Sequence, residues 1–78
     1  MDREVIVYST PFCAPCEALK RYLTERGIGF RVRDLLMDEE AAERLETHRV
    51  RSTPALEVDG AIYAGPDLTP ERLGELFG

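Results

Sequence analysis

The chain has 78 residues, a formal net charge of −5 and 44% apolar content, which fits one small domain with a modest core. With two cysteines and one histidine it can build neither a multi-disulfide scaffold nor a closed four-ligand zinc site without help from carboxylates. Acids and bases are interspersed, so the concentrated basic face that nucleic acid requires is missing.

Val5-Ile6-Val7-Tyr8 is a β-branched apolar run, predicted to be a strand buried on both faces. Ser9-Thr10-Pro11-Phe12 reads as a loop. A helix is predicted from Ala14 to about Arg26, with Ala18, Leu19, Tyr22 and Leu23 inward and Gly27 just past its end. Phe30 to about Leu35 alternates apolar and charged residues, the mark of a strand with one face exposed. Asp38 is a candidate N-cap, and Glu39 and Glu40 suit the dipole of a second helix, which runs to about Thr47 and buries Ala42 and Leu45. Ala55–Val58, Asp59-Gly60 and Ala61–Tyr63 give a hairpin signal, because Asp-Gly supplies the positive φ angles of a tight turn. Thr69 then caps a last helix with Pro70 at its first position and Leu73, Leu76 and Phe77 inward. The predicted order is β-α-β-α-β-β-α in a single domain over 1–78. The first three strands are expected to pair in parallel through helical crossovers, closing a four-stranded mixed sheet.

The start of the chain has neither the basic opening nor the apolar length of a signal peptide, and no stretch is long enough to span a membrane. A cytosolic protein with no membrane partner is expected. There a close cysteine pair is more often catalytic or metal-binding than a structural staple.

Cys13-Ala14-Pro15-Cys16 places two thiols across one helical turn, immediately after a strand and a proline loop. The Cys13 sulfur then faces the unpaired N–H groups of the helix start, which stabilise thiolate over thiol. Cys13 is the candidate nucleophile, and Cys16, one turn deeper, is the candidate resolving thiol. Pro15 stiffens the loop, and Glu17 adds a negative charge that opposes ionisation nearby. Two rival readings are a buried apolar pair and a metal carrier. Copper carriers of this size typically have Met two residues before the first cysteine, where Pro11 stands, and His48 reads as a solvated helix-end residue. Pro54 lies at the head of an apolar strand. Position alone leaves two options: an ordinary strand-start proline, or a cis bond that turns the Thr53 backbone outward toward an extended substrate.

Together, the Tyr8-Ser9-Thr10-Pro11-Phe12 lead-in, the CxxC and the later Thr53-Pro54 resemble the glutaredoxin branch of the thioredoxin superfamily, over essentially all 78 residues. The resemblance implies an α/β thioredoxin fold and a dithiol–disulfide oxidoreductase. It also implies a cis bond before Pro54, Phe12 packing beside the active site and Thr53 as a main-chain clamp on substrate. Gly65 and Asp67 stand where the family holds the γ-glutamyl end of glutathione. Thr10 stands where typical glutaredoxins have a lysine for the glycine carboxylate of glutathione, Ser52-Thr53-Pro54 replaces Thr-Val-Pro, Ala64-Gly65 replaces Gly-Gly, and Glu17 replaces a basic residue. These departures weaken an anion site. They also resemble the redoxins that are recharged by thioredoxin reductase and serve ribonucleotide reductase, a branch that Lys20 and Arg26-Gly27-Ile28 suit. The expected partners are disulfide-containing proteins, with glutathione or thioredoxin reductase as electron donor to a monomer that carries no bound cofactor. The alternative of another class is a metal-binding module, such as an iron–sulfur carrier.

Overall fold

The computed structural model describes residues 4–51 and 53–77, the side chains of Pro66 and Asp67 excepted. Along the chain run β1 (Val5–Ser9), α1 (Ala14–Glu25), β2 (Arg31–Asp34), α2 (Glu39–Thr47), β3 (Ala55–Val58), β4 (Ala61–Ala64), a 3-10 turn (Gly65–Leu68) and α3 (Pro70–Phe77). The strands form one mixed sheet in the order β2-β1-β3-β4. This is the thioredoxin-like α/β fold that the sequence predicts.

The period of two in β1 divides the core between the two faces of the sheet. Val5 and Val7 pack with Leu19 and Leu23 of α1, Leu56 and Val58 of β3 and Leu73 of α3. Ile6 and Tyr8 point the other way, onto Ala41 and Leu45 of α2 and Ala55 of β3. Each fully buried aliphatic side chain contributes roughly 1.5–3 kcal/mol by leaving water. A strand with core on both sides therefore anchors the molecule.

One expectation fails. β1 and β2 are parallel, but β3 runs antiparallel to β1, with Tyr8 opposite Ala55 and Val5 opposite Val58. After the nine residues of α2, the chain enters β3 at the end where β1 finishes. The right-handed crossover rule governs only the β1–α1–β2 unit. The Asp59-Gly60 hairpin forms as predicted, with φ of 49° and 93° at its two residues.

The helix faces shift slightly from their predicted positions. Cys16, Leu19 and Leu23 are the buried residues of α1, while Ala18 is exposed. In α2 the buried pair is Ala41 and Leu45, four residues apart, and Ala42 is only half-buried. Asp38 caps α2 through Oδ1, which accepts from the Ala41 N–H at 3.0 Å. Thr69 caps α3 through Oγ1, which accepts from the Arg72 N–H at 3.3 Å. In β2, Phe30 just ahead of the strand packs on the α1 side, but Val32 is exposed, because β2 is an edge strand that the helices do not fully cover.

Candidate active site

The site lies at the end of the sheet where β1 stops and α1 starts. Cys13 is the N-cap residue of α1, in extended conformation (φ −109°, ψ 103°), and its Sγ accepts a hydrogen bond from the Cys16 N–H at 3.2 Å. A sulfur in this position takes the role that a serine or aspartate oxygen usually plays at a helix start. Cys13 and Cys16 are joined in a disulfide, with Cα atoms 5.2 Å apart. Cys13 is partly accessible, while Cys16 is completely buried among the residues of the inner helix face. An outer sulfur that can be attacked is thus covalently paired with an inner one that only Cys13 can reach.

Two other segments close on the sulfurs. The Thr53–Pro54 peptide bond is cis, and the Thr53 Oγ1 lies 3.9 Å from Cys13 Sγ and 3.4 Å from Thr10 Oγ1. Three predicted residues, Thr10 and Cys13 from the β1–α1 connection and Thr53 from the segment ahead of β3, therefore meet at one point. A groove of about 440 Å³ opens beside them, lined by Pro15, Leu19, Tyr22, Thr53, Pro54, Gly65, Leu68 and Leu73 among others. Among the described residues, no charged side chain lines it. Gly65, at φ 61°, shapes its edge, while the side chain of Asp67 lies outside the described residues. So does Ser52.

Two features depart from expectation, and a third was not anticipated. Phe12 does not pack beside the cysteines; it sits at φ 58° with its ring wholly exposed. Glu17 does not act as a lone charge, because it pairs with Lys20 one turn on. The Tyr22 hydroxyl is buried in the groove wall with no hydrogen-bond partner among the described residues, and the guanidinium of Arg26 stacks over its ring at 4.4 Å.

Behind the site, on the α2 face, is a polar network that sequence reasoning missed. The Tyr8 hydroxyl donates to Glu57 Oε1 at 2.6 Å, and Arg44 Nε donates to the same oxygen at 2.8 Å. Tyr8 is fully buried and Glu57 nearly so. Burial works against the Glu57 carboxylate, but the hydrogen bonds from Arg44 and Tyr8 prevail and hold its pKa below the usual range. Burial, followed by the bond to Glu57, pushes the Tyr8 phenol up. The available signal was a lone carboxylate within the apolar run Ala55-Leu56-Glu57-Val58, with Arg44 on the helix above. Also unanticipated was the exposure of Leu36 and Met37 in the β2–α2 loop, 71% and 83% open to solvent. Among the described residues, no group of three or more His, Cys, Asp or Glu gathers as a metal site, and no helix is long and apolar enough to cross a membrane.

A partly accessible cysteine at a helix start, bonded to a buried one a turn deeper, is an arrangement suited to thiol–disulfide exchange. Comparison with known proteins agrees. The family model described as glutaredoxin matches residues 5–62. Among solved structures, the thioredoxin-like protein BC3987 superposes with a TM-score of 0.83 at 31% identity, covering 95% of this chain and 100% of that one. A mutant of the same protein gives 0.84 at 30%, covering 96% and 100%. The glutaredoxin-like protein NrdH-redoxin from Escherichia coli, whose structure is described as the basis of a thioredoxin-like activity profile, gives 0.84 at 25% identity, covering 96% of each chain. No curated protein sequence matches the chain. The chain belongs to the glutaredoxin family, as a glutaredoxin-like redoxin of the thioredoxin superfamily whose Cys13–Cys16 pair makes it a thiol–disulfide oxidoreductase.

Proposed function

We propose that this redoxin reduces protein disulfides in the cytosol and is itself recharged by thioredoxin reductase rather than by glutathione. The observation that carries the reading is the groove beside the disulfide, which is lined by no charged side chain among the described residues. Glutathione presents two carboxylates and needs cations to hold them. Here Thr10 offers a hydroxyl directed at Thr53, and Lys20, the chain's one lysine, is engaged by Glu17. The likeness to NrdH-redoxin, a glutaredoxin-like protein with a thioredoxin-like activity profile, supports the same choice.

The chemistry needs no resident cofactor, because the dithiol carries two electrons itself. Cys13 as thiolate attacks one sulfur of the target disulfide, a mixed disulfide forms, and the other target sulfur leaves as thiolate. Cys16 then attacks the Cys13 sulfur, which closes the internal disulfide and releases the second target thiol. The helix start stabilises the attacking thiolate, and the apolar groove accepts the chain that flanks the target cysteine. The protein acts as a monomer, presenting the site at one end of its sheet.

The test is NADPH-coupled turnover of the oxidised protein with thioredoxin reductase and, in parallel, with glutathione plus glutathione reductase. A kcat/KM at least about tenfold higher with thioredoxin reductase is expected, equivalent to about 1.4 kcal/mol of transition-state preference. Efficient reduction by glutathione alone would overturn the donor assignment while leaving the exchange chemistry intact.

A further inference from the structure

Four large apolar side chains stand exposed among the described residues: Phe12, Val32, Leu36 and Met37. All four belong to β2 or to the segments that leave β1 and β2. These strands are parallel, Ser9 pairs with Asp34 at their ends, and the Leu35 N–H donates to the Ser9 carbonyl at 2.9 Å. The Thr10–Phe12 and Leu35–Met37 segments therefore set out side by side from the same end of the sheet. This rim lies on the β2 side of Cys13, whereas Thr53, Pro54 and the apolar groove lie on the β3 side.

The charge around the Leu36–Met37 part of the rim is mostly acidic. An open hollow of about 550 Å³ is lined by Val32, Leu36 and Met37 together with Asp34, Asp38, Glu39 and Glu40. Its only cation, Arg33, is held by Asp38 through an Nε–Oδ2 bond of 2.8 Å. Glu39 and Glu40 serve the dipole of α2, but that role does not explain two exposed apolar residues just ahead of its cap. Leaving Leu36 and Met37 in water forgoes burial, and exposed apolar patches with polar borders mark interaction sites.

We propose that the Phe12–Leu36–Met37 rim is a docking surface for polypeptide partners that present an apolar side chain flanked by lysine or arginine, held there while their sulfur is exchanged at Cys13. The apolar contact supplies the anchor, and the acidic border selects basic partners and speeds their encounter. The proposal rests on the exchange chemistry of Cys13 and is independent of the identity of the electron donor.

The test uses synthetic mixed-disulfide peptides as probes. Each carries a Leu-Leu pair flanked by Lys, by Ser or by Glu, placed four, six or eight residues from the cysteine. Such spacers reach roughly 13–29 Å, which suits a molecule with extents of 31 × 25 × 22 Å. With the pre-reduced protein, the Lys-flanked peptide at the best spacer is expected to react at least fivefold faster than the Glu-flanked one, and the gap should shrink with salt. In the double variant Leu36→Ser, Met37→Ser the advantage of Leu-Leu should vanish, and in Glu39→Lys, Glu40→Lys the charge preference should reverse. Rates with bis(2-hydroxyethyl) disulfide should stay unchanged in both. Methyl NMR with the Cys→Ser form of the Lys-flanked peptide should shift Leu36 and Met37 in the absence of any exchange. Equal rates for all peptides, a preference that survives the double variant, or unshifted methyls would overturn the surface. Failure to reduce the small disulfide would overturn the exchange chemistry instead, and the NMR readout would still decide the surface.

Discussion

Replacing Tyr8 by phenylalanine removes one oxygen from a fully buried position and takes a 2.6 Å hydrogen bond from Glu57. Ring volume hardly changes, so cavity terms are small. Hydrogen bonds to charged groups are worth about 1.5–3 kcal/mol. A domain of this length has a total stability of roughly 4–12 kcal/mol. The oxidised variant should therefore melt about 6–24 °C below the parent, and its urea midpoint should fall with little change in slope. Both proteins must be held fully oxidised, so that the disulfide contributes equally. The pH dependence supplies a second readout. The folded Glu57 carboxyl titrates below its unfolded value, so its contribution is present above about pH 4.3 and fades as pH falls through the folded value. The folded Tyr8 phenol titrates above its unfolded value, so its contribution is present below about pH 10 and fades as pH rises through the folded value. Tyr8→Phe should abolish the alkaline fading that belongs to Tyr8 and leave an acid limb supported by Arg44. A loss below about 0.5 kcal/mol, with an unchanged alkaline limb, would refute the reasoning, because the bond would then be no better than water's.

Cys13→Ser should abolish turnover, whereas Cys16→Ser should stall as a mixed disulfide with its target, visible as a mass adduct. Leu23→Ala, in the fully buried centre of the α1 layer, should cost about 2–5 kcal/mol in urea unfolding. Thr69→Ala removes the Oγ1 cap of α3 and should cost about 1 kcal/mol in the same assay.

Strong local signals carried most of the fold. The run Val5–Tyr8 is apolar on both sides because both faces of β1 are covered, and that pattern is visible in four letters. The Asp59-Gly60 turn and the caps at Asp38 and Thr69 depend on residues a few positions apart, which sequence exposes directly. The direction of β3 depends on where α2 lays the chain down, a tertiary choice that no local pattern encodes. At the site, the two cysteines were legible from spacing. The cis bond needed family resemblance, because proline at a strand head reads the same in either isomer. The Tyr8–Glu57–Arg44 network joins residues 13 to 49 apart, two in strands and one on a helix, and only the packed sheet brings them together. The Glu17–Lys20 pair was within reach, since a three-residue spacing is a helix-face spacing.

The polarity of the sheet has a practical consequence. Every segment that touches the disulfide leaves or enters the sheet at one end, while the Asp59-Gly60 hairpin turns at the other. There, Glu4 and Asp59 hold each other through two bonds of 3.0 Å: the Glu4 N–H donates to Asp59 Oδ1, and the Asp59 N–H donates to the Glu4 carbonyl. This clasp ties the start of β1 to the hairpin at the pole opposite the chemistry. A reporter domain or surface tether spliced in beside Gly60, with Asp59 kept, would sit a full strand length away from the sulfurs. The molecule thus has a working end and a handle, and it can be immobilised by the handle with its redox end facing solution.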